Sequence, residues 1–281
     1  RFDIDVEQCY SMGAKLGEGG YSKVVVARDR HFENRLVAIK KVQKRSPQHT
    51  EAFHREAQVM KDLDHPNICR LFEVFEDKKH MFFVMEVCSG GELLDRIFRD
   101  QRICESLSAN ILNQVARALR YAHDRKIAHR DLKPENVCFC TPNEDDVMVI
   151  DWGLSALFAE DEMRSVAGTL LYSAPEVLSL KNMNRLDRHP YGCECDVWSL
   201  GVLAYVMLSG KPPFWGSARD MLGKMKAAEY PLTGDPWDDF VSDTAKDFVR
   251  TLLQPEPALR PTSAEVLSHP WLADWVKAQG A

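Results

Sequence analysis

The chain has 281 residues, enough to bury a sizeable core as one large domain or as two modest lobes. Its 45% hydrophobic and 28% charged residues, with Gly and Pro at ordinary levels, exclude a disordered or fibrous protein. A formal net charge of -6 argues against nucleic acid or an anionic membrane as the main partner, because both favour basic faces.

Taken in order, Lys23 to Ala27, Leu36 to Val42 and Met81 to Val87 are short runs rich in Val, Ile and Phe, and they predict strands. Between them, Phe53, Ala57, Met60 and Leu63 recur at helical spacing and predict a helix over 51–63. Strand patterning stops at Ser89-Gly90-Gly91, where two glycines loosen the chain. Beyond it the pattern is mostly helical. Ile111, Val115, Leu119 and Ala122 mark one amphipathic helix. The apolar run from Val197 to Leu208 falls short of the roughly 18 residues that span a bilayer, so it reads as a buried helix and no transmembrane segment is expected. Thr262 and Glu265 form a capping box opening a last short helix.

These elements predict an α+β architecture: a small β-rich lobe (1–88) hinged to a larger, mainly helical lobe (89–281), with a ligand cleft between them. The eight cysteines are scattered, which points to a reducing compartment and a cytoplasmic location rather than a disulfide framework. A start at Arg1 with neither Met nor signal peptide reads as a fragment, and leaves membrane attachment through a preceding segment open.

Four stretches carry chemistry. Gly17-Glu18-Gly19-Gly20-Tyr21-Ser22 is a glycine-rich turn followed by a strand, of the kind that lets backbone N–H groups approach phosphate oxygens. Lys40 lies inside an apolar strand, and Glu56 shares the apolar stripe of the following helix. A carboxylate there is costly without a partner, so the two are expected to pair and to hold an ammonium at the cleft. In His129-Arg130-Asp131-Leu132-Lys133-Pro134-Glu135-Asn136, Asp131 offers a carboxylate to take a hydroxyl proton and Asn136 an amide oxygen for a divalent cation. Asp151, at the end of the apolar run Val147 to Ile150, offers a second hard oxygen, a set that suits magnesium shared with substrate phosphates.

With these residues the chain resembles eukaryotic protein kinases from about Met12 to Leu272. The resemblance implies the bilobal kinase fold and the use of ATP and Mg2+. By it the glycine-rich loop from Leu16 to Val24 covers the phosphates, and Lys40, paired with Glu56, contacts two of them. Asp131 becomes the catalytic base, Lys133 sits near the transferred phosphoryl, and Asn136 and Asp151 hold the metal. Met85 backs the adenine pocket, Glu86 and Cys88 offer hinge backbone groups, and Val24, Ala38 and Cys138 sandwich the purine. Lys133, and Thr169 ahead of Ala174-Pro175-Glu176, are similar to the serine/threonine branch. Glu176 is then expected to pair with Arg260, and Asp196 to brace the catalytic loop.

Ser89-Gly90-Gly91-Glu92-Leu93 and His269-Pro270-Trp271-Leu272 resemble the calcium/calmodulin-regulated group, most of all the calcium-dependent kinases of plants and apicomplexan parasites. The implied function is a serine/threonine kinase linked to calcium signalling. Glu92, near the ribose, and Glu135 imply protein substrates with Arg or Lys near the acceptor. No calcium-binding loop of the Asp-x-Asp-x-Asp-Gly type is present, so a calcium sensor is expected outside this chain. Ser22 in place of a glycine, and Trp152 in place of a phenylalanine, depart from the family pattern and favour the alternative, a pseudokinase scaffold that binds ATP without efficient transfer. The indole is expected to shift the balance between active and inactive poses. Acidic Glu160, Asp161 and Glu162, with Ser165, mark a regulatory segment, and 179–195 is longer than usual.

Overall fold

The computed structural model describes residues 5–18, 22–32, 35–152, 170–180 and 192–279. A four-residue helix, α1 (Val6–Cys9), leads into a five-stranded antiparallel sheet. Its strands are β1 (Tyr10–Glu18), β2 (Ser22–Asp29), β3 (Leu36–Gln43), β4 (Leu71–Glu76) and β5 (His80–Met85), in the order β1-β2-β3-β5-β4. Strand residues alternate between faces. Val37 and Ile39 of β3, with Phe82 and Val84 of β5, pack against α1 in an outer cluster. The intervening Ala38, Lys40 and Val42, with Met81, Phe83 and Met85, therefore face the rest of the molecule. The register pairs Val26 with Ala38 and Ala38 with Met85, which lines up the walls of a cleft.

Helix α2 (Pro47–Lys61) crosses that inner face. Ser46 caps it by accepting from the His49 N–H at 3.2 Å, and Pro47 opens it, where its missing N–H costs nothing. Its buried residues are Ala52, Phe53, Glu56, Ala57 and Met60, so a carboxyl does ride on the apolar stripe. The predicted helix over 51–63 thus begins four residues earlier and ends two earlier.

The second lobe is helical. It contains α3 (Leu93–Asp100), α4 (Glu105–His123), α5 (Pro175–Leu180), α6 (Glu194–Ser209), α7 (Ala218–Lys226), α8 (Trp237–Phe240), α9 (Asp243–Leu252), α10 (Ser263–Leu267) and α11 (Pro270–Gln279). Helix α6 is buried from Cys195 to Leu208 on every side, as its unbroken apolar run predicts. Among the described residues no helix is long and apolar enough to cross a membrane. The Thr262–Glu265 capping box opens α10, with both reciprocal bonds formed. Gly90 begins this lobe because nothing larger fits: a Cβ there would lie 2.4 Å from the Thr141 carbonyl oxygen.

Two polar devices lock the helices. The Arg260 guanidinium spends all five N–H donors, two on the Glu176 carboxylate at 2.8 Å each and one each on the carbonyls of Glu194, Gln254 and Pro255. Asp196, fully buried at the start of α6, accepts from the backbone N–H groups of His129 and Arg130 at 2.7 Å and lies 2.9 Å from His123 Nε2. Both pairings expected of Glu176 and Asp196 are therefore formed.

Candidate active site

The short hairpin of β6 (Val137–Phe139) and β7 (Val147–Val149) gathers the site. Asn136 directly precedes β6 and Asp151 follows β7, and Val137 pairs with Val149. Antiparallel pairing thus folds the intervening residues away and brings Asn136 and Asp151 to one end. The Ile150 N–H donates to the Asn136 carbonyl at 2.9 Å, closing that end. Arg130 (φ 67°) and Asp151 (φ 60°) both hold left-handed backbone, a strained conformation for side-chain-bearing residues. Asp196 on the Arg130 N–H holds the first.

Asp131 is the hub. Its Oδ2 accepts from Lys133 Nζ at 2.8 Å and from Asn136 Nδ2 at 3.1 Å, and its backbone carbonyl takes a second Asn136 bond at 2.7 Å. Among the described residues no hydrogen bond is made to Oδ1. Asn136 spends its amide nitrogen on Asp131, which leaves its amide oxygen to offer a cation.

Lys40 lies across the cleft, and here the expectation needs correcting. Its ammonium donates to Asp151 Oδ1 at 2.6 Å, not to Glu56. Glu56 is 4% exposed, and its Oε2 has no hydrogen-bond partner. Burial, opposed by Lys40 and assisted by Asp151, pushes the Glu56 carboxyl up to about 8. With the Lys40 ammonium bonded to Asp151, the buried Glu56 carboxyl is left without the ion pair that would hold its charge. Burial alone would raise Asp151 as well, but the Lys40 charge and hydrogen bond outweigh it and hold that carboxyl below its ordinary value. Lys40 is correspondingly raised by Asp151 and Glu56 against the effect of burial.

Trp152 is fully buried, edge-on to the His129 ring at 4.8 Å, and its indole N–H donates to the Val149 carbonyl at 3.0 Å. A phenylalanine has no such donor. His129 Nε2 lies 2.9 Å from the Ile150 carbonyl, so both rings grip the strand leading into Asp151.

Between the lobes lies a cavity of about 330 Å3. Its roof carries Leu16, Gly17, Val24 and Ala38, its back Lys40 and Met85, and its hinge side Glu86 and Cys88. Glu92, Cys138 and Asp151 complete the floor and mouth, with Glu92 bridging Cys138 across the chain. The Glu86 N–H is already taken by the Arg70 carbonyl at 2.9 Å. Burial first, then the neighbouring Cys140 and Glu86, pushes the Cys88 thiol up to about 12.

Val26, Cys69, Ser89 and Ile150 also line this cavity and escape the sequence reading. Val26 was findable, since it shares a strand face with Val24. Cys69 was not, because only the fold brings it there. Glu18 is exposed and bound to Lys15 at 2.6 Å, and Ser22 pairs with Val42 in the sheet. Gly19, Gly20, Tyr21 and Thr169 lie outside the described residues, as do Glu160, Asp161, Glu162, Ser165 and most of the long 179–195 segment.

A profile of the protein kinase domain matches residues 10–272. Calcium/calmodulin-dependent protein kinase type 1B of Rattus norvegicus is 39% identical over 96% of this chain, which spans 76% of that protein. Calcium-dependent protein kinase 3 of Plasmodium yoelii yoelii is 37% identical over 96% of this chain, which covers 49% of its length. The crystal structure of Rad53 1-466 in complex with AMP-PNP superposes with a TM-score of 0.79 at 32% identity, covering 95% of this chain and 66% of that one. The bilobal architecture, the cleft between its lobes and a match along nearly the whole chain place this protein in the protein kinase family, in its serine/threonine branch.

Proposed function

We propose that the chain transfers the γ-phosphoryl group of Mg-ATP to serine or threonine hydroxyls of cytoplasmic proteins, within a calcium-linked signalling pathway. The observation that carries this is that Asn136 joins the two groups: its amide bonds Asp131, which Lys133 also holds, and its carbonyl takes the N–H of Ile150, next to the Asp151 that bonds Lys40. Asn136 and Asp151 fit a hard divalent cation, two protein oxygens being the usual share when phosphates complete the shell. When bound, that cation would offset charge on the phosphates.

The remaining work falls to the chain's own groups. Lys133 and Asn136 hold Asp131 by Oδ2, leaving Oδ1 to accept the proton of an incoming hydroxyl. Lys133 also brings a positive charge beside that proton acceptor, near the transferred group. Lys40 is placed to meet phosphates once Asp151 turns to the cation. Leu16, Val24, Ala38 and Cys138 offer apolar contact to the purine, with Met85 behind it.

A preference for basic residues near the acceptor rests on two carboxyl groups, Glu92 in the cleft lining and Glu135, whose charge acts on it. Glu135 Oε2 is buried with no hydrogen-bond partner. Glu92 is raised by burial, then by Asp95 and Glu135, which marks a local excess of negative charge. A substrate guanidinium would relieve both. The names of the relatives support calcium regulation.

Incubation with Mg-ATP and an arginine-containing serine peptide tests the reading. The chain should yield phosphopeptide, and Asp131→Ala should lose about two to four orders of magnitude in turnover. Near-wild-type turnover in the variant would remove Asp131 from its role. Tight ATP binding with no phosphopeptide from the unmodified chain would favour the scaffold.

A further inference from the structure

On the side of the second lobe formed by α4 and the C-terminal helices lies a larger cavity, of about 630 Å3. None of its lining residues lines the nucleotide cleft. Leu267, Ala273 and the Tyr121 ring give it apolar walls, and Arg117 and Arg120 bring two guanidinium groups to it. Asp124 is the single carboxylate in the lining, set 4.0 Å from Arg120 in an exposed pair that contributes little. Arg117 has no ion-pair partner among the described residues.

The positive field is corroborated next door. The Arg125 guanidinium stacks on the Tyr121 ring at 3.6 Å, and the His65 ring lies 5.2 Å from the same ring. His65 is held below its ordinary value by burial and then by the charges of Arg117 and Arg125. A basic pocket is notable on a chain whose formal charge is -6. The ordinary explanation for arginines here is the negative end of the α4 dipole. That effect fades within the last turn, and Arg117 lies six residues before the helix ends at His123. The dipole therefore accounts for Arg120 but not for Arg117.

We propose that this cavity binds an organic anion, its carboxylate, sulfonate or phosphate held by Arg117 and Arg120 and its apolar body set against Leu267, Ala273 and Tyr121. Its position gives such a ligand a route to the nucleotide cleft. His65 in its wall belongs to the joint between α2 and β4, where His65 Nδ1 accepts the Asn67 N–H at 3.1 Å and Tyr121 Oη accepts the Asp64 N–H at 3.1 Å. That joint carries α2, and with it Glu56 and Met60.

The test is a fluorescence titration with 8-anilinonaphthalene-1-sulfonate, an aromatic sulfonate. It involves no catalytic step, so its outcome is separate from that of the phosphoryl-transfer reading. One dye per chain is expected to bind. Affinity should fall at least tenfold, equivalent to about 1.4 kcal/mol, in an Arg117→Ala/Arg120→Ala variant whose exposed substitutions leave the melting curve unchanged. Ala273→Glu, which adds a carboxylate to the wall, should weaken it as much. Displacement of the dye by dodecanoate assigns an aliphatic carboxylate ligand, and displacement by phenyl phosphate an aromatic phosphate. Equal dye affinity in all three proteins, or displacement by neither compound, overturns the proposal.

Discussion

Glu56 shows how far a single residue's setting departs from its type. Its spacing on α2 correctly put a carboxyl on the apolar face, yet the partner that spacing suggests is engaged elsewhere, by Asp151. The consequence is a measurable pH dependence. An acid whose folded value, about 8, lies above its ordinary 4.5 is neutral in the folded chain and ionised in the unfolded chain between those limits. The unfolded state then binds fewer protons, so this group's contribution to stability falls as pH rises from about 4.5 to about 8 and is level above that. Glu56→Gln removes it. In denaturant melts the variant should match the parent near pH 4.5 and exceed it by about 3–5 kcal/mol above pH 8. Equal stability at both ends would show that Glu56 ionises freely in the folded chain.

Arg260 ties elements together at the next scale. Its planar fork reaches the carboxylate of α5, a carbonyl at the start of α6 and two carbonyls just beyond α9, every donor used and the residue only 6% exposed. Lysine keeps the charge but offers three donors in a different geometry, so at least two of the five acceptors lose their partner. Arg260→Lys should therefore cost about 2–4 kcal/mol in chemical denaturation, far more than a surface Arg-to-Lys exchange. A change within experimental error would mean that water replaces the lost donors. The Glu176–Arg260 pairing was legible in the chain only by family resemblance. No local pattern links residues so far apart, and the distance between them closes only when α5, α6 and α9 pack.

At the scale of the whole molecule, the two lobes are joined by more than the hinge. Asn67, in the joint after α2, donates to the Gln114 side chain and to the Val147 carbonyl, both at 2.9 Å, while its own carbonyl takes the Val149 N–H. The first lobe is thereby fastened to α4 and to the hairpin that presents Asp151. Asn67→Ala should cost about 1–3 kcal/mol, read as a melting-temperature loss of about 2–5 °C for a domain of this size. It should also raise the ATP KM more than it lowers kcat, because the cleft walls lose their common anchor. An unchanged KM would confine Asn67 to a purely local role.

Much was determined by the chain alone. Short runs rich in Val, Ile and Phe located β2, β3 and β5, helical spacing located α2 and α4, an unbroken apolar run located α6, and the order of glycine loop, lysine, glutamate and two aspartate motifs named the chemistry. These signals are local, or carried by side-chain types that few other reactions need. Strand β1 was missed because it holds no Val, Ile or Phe and is exposed along most of its length, and β4 because Glu73 and Glu76 interrupt its apolar residues. Tertiary structure alone decided the rest: that Lys40 meets Asp151, that the Trp152 indole bonds Val149, that Cys69 enters the cleft, and that Arg117 and Arg120 line a second cavity. Each depends on distances between segments remote in sequence and on how burial shifts a charge, and neither can be read from spacing.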